Sequence, residues 1–258
     1  MPLSNTRHVN ARKGGRDKRL GRPSVTLFSL CLILIFGFLG PLQAEALTAT
    51  SIKTTETKAA VIETNWTLWR ESDKLSLYYR QFEDTKLIEI KAHARLESSL
   101  SGFLLFLQDY PLIPAWLDNA KESYLISQLS DTENVFMTLF KGVWPVSERE
   151  MVIRSRYWQN ADLSVELSVK NANNEVANPD SVVRINIVKA HWYLFPLGKG
   201  KLKIQHTMVA DPMGNVPLWI ANKVALRSMW KTLKALEVQL PLSPWQKMPI
   251  PGIKERQD

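Results

Sequence analysis

The feature that most constrains this chain is a series of short segments that alternate apolar and polar residues. Each has one apolar face, so a sheet built from them must cover one side and leave the other wet. Residues 87–96 place Ile88, Ile90, Ala92 and Ala94 on one face, and Glu89, Lys91, His93 and Arg95 on the other. The same period of two recurs at 151–157, 163–169, 183–187 and 202–210. Turn-forming residues separate them, notably in 171–180, with four asparagines and Pro179. Carboxylates on the polar faces, Glu89 and Glu166 among them, read as solvated.

The cover comes late in the chain. A long helix is predicted to open after Asp211-Pro212-Met213-Gly214-Asn215, with Pro217 in its first turn, and to run to about Glu237. A second helical stretch, 98–118, is broken at Pro111 and Pro114, and a short helix is expected around 60–69. The tail 241–258 holds four prolines and is expected to be extended. The fold class is therefore α+β: one curved antiparallel sheet with a C-terminal helix on its apolar face.

At 100° per residue, Leu218, Ala221, Ala225, Met229, Thr232 and Leu236 fall on one side of that last helix. Trp219, Leu226, Trp230 and Leu233 flank this line. Lys223, Arg227, Lys231 and Lys234 form a basic stripe opposite. Ala221, Ala225 and Thr232 are small for a helix covering a wide sheet. They either let the helix sit close or leave room for a guest.

The net charge of +8 divides unevenly along the chain. Residues 1–24 hold seven Lys and Arg against Asp17 alone, whereas residues 47–258 hold 26 basic and 23 acidic side chains. The basicity thus belongs to the leader, and nucleic-acid binding loses its main support. An uncharged run, 25–39, and Ala44-Glu45-Ala46 follow, completing the three parts of a secretory signal. Residues 1–46 are therefore expected to be a signal peptide, with an uncleaved membrane anchor as the alternative, and 47–60 a polar linker. The expected location is periplasmic, either free or anchored to the inner membrane. Cys31, the single cysteine, lies inside the apolar run, so the exported part has no disulfide or thiol chemistry. It must be held by its core, and all nine tryptophans lie there.

Three motifs stand in order along the exported part. The first is Leu107-Gln108-Asp109-Tyr110-Pro111 with Trp116 and Lys121-Glu122-Ser123. The second is Trp144-Pro145-Val146-Ser147-Glu148-Arg149-Glu150, and the third is Asp211-Pro212-Met213-Gly214-Asn215-Val216-Pro217-Leu218-Trp219 with Asn222. Together they resemble the START (StAR-related lipid transfer) domain family, across residues 61–240. In the third motif Met213 stands where the family pattern has a glycine. The resemblance implies a helix-grip fold, in which the sheet wraps the last helix and encloses an apolar tunnel for a lipid or other hydrophobic molecule.

The tunnel wall expected from the strand faces comprises Met151, Ile153, Ser155 and Tyr157, then Val183, Ile185 and Ile187, then Leu202, Ile204, His206 and Met208. Ala221, Ala225, Met229 and Thr232 join them from the helix. His206 interrupts an apolar face: it is either hydrogen-bonded within the core or positioned to orient a ligand headgroup. Arg149 is expected to anchor a turn through Glu148 or Glu150, with contact to a ligand as the alternative. The acid–arginine pair of some sterol-binding relatives has no counterpart, because Ser155 points inward where the arginine would stand. Three histidines in the exported part, on different strands, and no nucleophile elbow or phosphate loop, point away from an enzyme. A tunnel enzyme of the wider superfamily and a ligand-sensing module that never releases its guest are the alternatives. No cofactor or metal is implied, and a monomer is expected. The basic stripe, with Pro111–Pro114 and Trp116 if exposed, offers an anionic membrane surface a place to dock.

Overall fold

The computed structural model describes residues 65–142, 147–177 and 182–257. The expected signal segment, the linker and residues 143–146, which include the first three residues of the second motif, lie outside the described residues.

Three strands, β1 (Thr67–Glu71), β2 (Leu75–Gln81) and β3 (Ile88–Glu97), open the domain. Helix α1 (Leu100–Gln108) follows, then a 3-10 turn (Tyr110–Leu112) and the single turn α2 (Ile113–Trp116), with Pro111 and Pro114 at the starts of the last two. The chain returns as β4 (Ala120–Ser130), β5 (Glu133–Phe140), β6 (Arg149–Gln159), β7 (Val165–Asn171), β8 (Val183–Arg184), β9 (Asn186–Gly198) and β10 (Lys201–Asp211). The long helix α3 (Leu218–Gln239) ends the sequence of large elements, with Pro217 as its N-cap. The sheet order is β1-β2-β3-β10-β9-β7-β6-β5-β4, antiparallel throughout, with β8 alone lying parallel beside β6.

Five of the strands are those the alternation marks, and the rest correct or extend that reading. The helix expected at 60–69 is, over its described part, the strand β1. Trp69 there packs its ring 6.4 Å from Trp230 of α3, so β1 is held as part of the helix's seat. The segment 183–187 breaks at Ile185 into β8 and β9, and β9 continues to Gly198. A bulge near Val188 keeps Ile187 and Ala190 facing the same way.

Glu89 is not solvated: it is 2% exposed on the outer face of the sheet. Arg80 from β2 lies 2.5 Å away and Lys189 from β9 lies 2.9 Å away. Burial alone would push its carboxyl up, but these two cations hold it below the usual range. Glu166 is half-buried, with His191 at 2.9 Å and Asn160 at 3.0 Å.

The tail is also folded, as two 3-10 turns packed under α1. Trp245 donates to Asp109 (3.0 Å), and Gln246 accepts from the Ser99 N–H (3.1 Å). The Glu255 carboxylate accepts from the Leu100 and Ser101 N–H groups (2.9 Å each), satisfying free donors at the start of α1. Gly102 makes this approach feasible, because a Cβ there would stand 2.6 Å from Gln246 Oε1.

The solid core lies between α1, the ends of β2, β3, β9 and β10, and the C-terminal half of α3. Leu77, Leu96, Phe103, Phe106, Leu194, Ile204, Leu233 and Leu236 are all sealed there.

Candidate functional site: a cavity between sheet and helix

Toward the N-terminal half of α3 the packing changes. Leu226, Trp230, Leu233 and Leu236 enter the core, whereas Ala221, Val224, Ala225, Ser228 and Met229 border an open space. That space is a cavity of about 340 Å³, with a lining that is overwhelmingly apolar. Size and lining both fall within the range of small-molecule sites.

The ladder registers arrange the wall in tiers. Ile204, Leu194 and Val165 stand opposite one another in the sealed core and form the floor. Two residues along comes the tier His206, Trp192, Leu167 and Tyr157, and then Met208, Ala190, Val169, Ser155 and Asn134. Further on are Ile187, Ile153 and Phe136, and finally Met151 and Ile185.

Most of the expected wall is brought together here: Met151, Ile153, Ser155, Tyr157, Ile185, Ile187, His206, Met208, Ala221, Ala225, Met229 and Thr232. Ile204 is corrected. At 1% exposure it belongs to the floor's packing, as does Leu202, because α1 covers that end of the strand. Val183 is not on the wall either, since the break at Ile185 sets β8 beside β6; its methyl groups approach Gly214. Sequence reasoning did not find Tyr110, Trp116, Asn134, Phe136 or Trp192 on the wall. The period of two was visible in Asn134-Val135-Phe136, yet an inward asparagine beside an outward valine hides the face.

Several polar groups on the wall are already engaged. Thr232 Oγ accepts from the Asp118 N–H (3.1 Å), and Tyr157 donates its hydroxyl to the Asp131 carbonyl (3.3 Å). Arg149 is buried, but it does not hold a turn through its neighbouring acids. Its guanidinium donates to the carbonyls of Ser147 (2.8 Å), Pro212 (3.0 Å) and Met213 (3.2 Å), tying β6 to the loop before α3. Glu150 instead pairs with Arg184 of β8 (2.5 Å), and Glu148 pairs with Lys121 (3.2 Å). Arg184 then donates to the carbonyls of Asn173, Val176 and Ala177, closing the loop after β7.

His206 is stacked on Trp192, ring centroids 3.8 Å apart and planes 19° from parallel. Its Nδ1 lies 3.0 Å from the His191 carbonyl, which can only accept, so the proton of the neutral ring is on Nδ1. Burial pushes its pKa down to about 4. Burial likewise pushes the Tyr110 phenol up to about 12. Among the described residues no group of acids, histidines and cysteines is placed to hold a metal ion.

The START domain family matches residues 47–240, and the chain belongs to that family. Its domain is one that binds lipids or other hydrophobic ligands. The crystal structure of a STAR-related lipid transfer protein fragment from Xanthomonas axonopodis is similar, with a TM-score of 0.63 and 27% identity. That match covers 68% of this chain and 98% of the fragment. Human StAR-related lipid transfer protein 5 shares the fold at a TM-score of 0.60 and 16% identity, over 74% of this chain and 96% of that one. An uncharacterized protein of Pseudomonas aeruginosa is 21% identical over 172 residues, 67% of this chain and 85% of its own.

The buried imidazole makes stability depend on pH. In the native protein His206 stays neutral down to about pH 4, whereas the unfolded chain takes that proton near pH 6.5. Between those values the unfolded state binds more protons, so this contribution is complete above pH 6.5 and is lost as pH falls toward 4. The separation amounts to about 3 kcal/mol. Urea unfolding at pH 7 and pH 4 should show wild type losing about that much more stability than His206→Phe, which keeps a ring on Trp192. Equal losses would mean that the imidazole is not held neutral.

Proposed function

We propose that this domain holds one apolar molecule in the cavity between the sheet and α3, and acts as a lipid binder or carrier rather than an enzyme. The observation that carries the reading is the cavity itself. Interiors are otherwise close-packed, and the small residues Ala221 and Ala225 keep this space open beneath a helix whose other half is solidly seated. Binding is favoured over catalysis because Tyr157, Thr232 and Arg149 spend their polar groups on backbone partners. The domain is proposed to work as a monomer and without a cofactor. Native mass spectrometry and lipid extraction provide the test. Wild type should carry an apolar guest, and Ala225→Trp should lose it while remaining folded. If nothing occupies the space and Ala225→Trp simply overpacks a core, the variant should instead be destabilised by about 1–3 kcal/mol with no guest to lose.

Transfer between membranes would require docking, and the exposed surface beside the cavity supports a narrower site than the full basic stripe. Lys231 lies 3.4 Å from Asp118 and Lys234 lies 2.7 Å from Glu237, so both have acidic partners. Ile113 and Trp116 are buried and cannot insert into a bilayer. Trp219 at 64% exposure and Met213 at 45% flank the start of α3, with Lys223 5.2 Å over the Trp219 ring. Lys223, Arg227, Trp219 and Met213 are therefore the proposed docking group. Each basic residue near an anionic surface contributes about 1 kcal/mol, an attraction that salt screens. In co-sedimentation with vesicles containing 30% anionic lipid, a Lys223→Gln/Arg227→Gln variant should bind more weakly than wild type at low salt, and Lys234→Gln should not. Indistinguishable sedimentation of all three would remove this docking site.

Export to the periplasm is proposed from the leader's charge and apolar run. N-terminal sequencing of the mature protein should begin near Glu45 or Leu47. Intact Met1 in the membrane fraction would identify an anchor instead.

A further inference from the structure

The two innermost tiers of the cavity differ from the rest of its wall. They contain polar side chains without partners and contain no charge. His206 is 6% exposed, and the bond from Nδ1 to the His191 carbonyl leaves Nε2 with only a lone pair to offer. No protein donor reaches Nε2 among the described residues. On the next tier Asn134 is 2% exposed and its Oδ1 is unpartnered; Ser155 stands directly opposite it in the β5–β6 ladder. The Tyr110 hydroxyl, on the same wall against Phe136, also lacks a partner. Buried polar groups are normally paired, so a cluster of unpaired ones lining a cavity marks where a guest supplies the missing bonds.

The chemistry of these groups selects the guest. An acceptor-only Nε2 requires a donor from the ligand, which an ester, ether or carboxylate lacks. The tiers formed by Trp192, Leu167, Tyr157, Ala190, Val169 and Met208 hold no cation for a carboxylate or phosphate and no anion for an ammonium. A charged headgroup carried to this depth would lose its water with nothing to replace it. Lys141 and Arg149, the cations on the lining, lie away from these tiers, and Arg149 is committed to the loop before α3.

We propose that the inner end of the cavity is a subsite for a neutral hydroxyl, so that the guest is an apolar alcohol or phenol inserted hydroxyl first, with its O–H donated to His206 Nε2. Ser155 and Asn134 provide the second uncharged contact on the neighbouring tier. The proposal rests on the cavity being a ligand site, and the experiment separates the two.

Displacement of the neutral fluorophore N-phenyl-1-naphthylamine from the delipidated domain reads binding of dodecan-1-ol, its methyl ether and dodecanoate. Wild type should bind the alcohol about tenfold more tightly than the ether, equivalent to about 1.4 kcal/mol for one unmade bond to a buried acceptor. Dodecanoate should bind more weakly than the alcohol. His206→Phe should bind alcohol and ether alike, and Ser155→Ala should reduce the preference without abolishing it. Equal affinity of wild type for alcohol and ether, or a preference for dodecanoate, overturns the hydroxyl subsite and leaves the cavity reading standing. If no probe displaces the fluorophore, or if displacement is unchanged in Ala225→Trp, the cavity is not the ligand site and both readings fall.

Discussion

With α1 sealing one end, the long helix α3 has to cover the rest of the inner face of a ten-stranded sheet, and it does so unevenly. Leu226 and, from the C-terminal half of α3, Trp230, Leu233 and Leu236 enter a core already filled by α1 and the ends of β2, β3, β9 and β10. Its N-terminal half presents Ala221, Ala225 and Ser228, which border the cavity. A uniformly bulky helix would seal the interface, and a uniformly small one would have nothing to hold it. Burying large side chains contributes about 1.5–3 kcal/mol each. The seated half therefore provides the stability that allows the other half to leave a space open.

This asymmetry explains how much could be read from the residues alone. Strands with one wet face and one apolar face announce themselves by period, and β3, β6, β7 and β10 do so plainly. The inner line of α3 was equally legible, because helical spacing separates small from large residues without knowledge of the partner surface. What escaped was set by contacts distant in sequence. Glu89 looks solvated on its own strand, and only Arg80 and Lys189, brought by β2 and β9, make its burial tolerable. Ile204 alternates in phase with His206, yet α1 seals one and leaves the other on the cavity. The tail's four prolines suggest extension, but Gln246 and Glu255 find unsatisfied N–H groups at the start of α1 and fold it back.

A domain without disulfides also needs its loops fixed, and here buried arginines do it. Arg184 meets Glu150 and three carbonyls of the loop after β7, while Arg149 meets two carbonyls of the loop before α3 and the Ser147 carbonyl ahead of β6. A buried ion pair adds little net stability relative to an apolar substitute, because both ions lose water. Its geometry is demanding, however, and a planar guanidinium can bind several carbonyls at once. These residues therefore specify loop positions more than they add free energy.

The loop before α3 shows what that positioning costs. Met213 has φ 55° and Gly214 φ 67°, two successive residues in the left-handed region. Gly214 occupies it without penalty, but a side chain there costs about 1–2 kcal/mol. Met213 replaces the glycine of the family pattern, so this chain accepts strain that a glycine would avoid. The Arg149 bond to the Met213 carbonyl and the Asp211 carboxylate accepting from the Met213 N–H (2.9 Å) hold the conformation. The substitution places an apolar, exposed thioether beside Trp219 at the start of the helix that borders the cavity. A glycine would relax the turn and leave that surface without its second apolar side chain, so the strained methionine is what completes the apolar part of the proposed docking group.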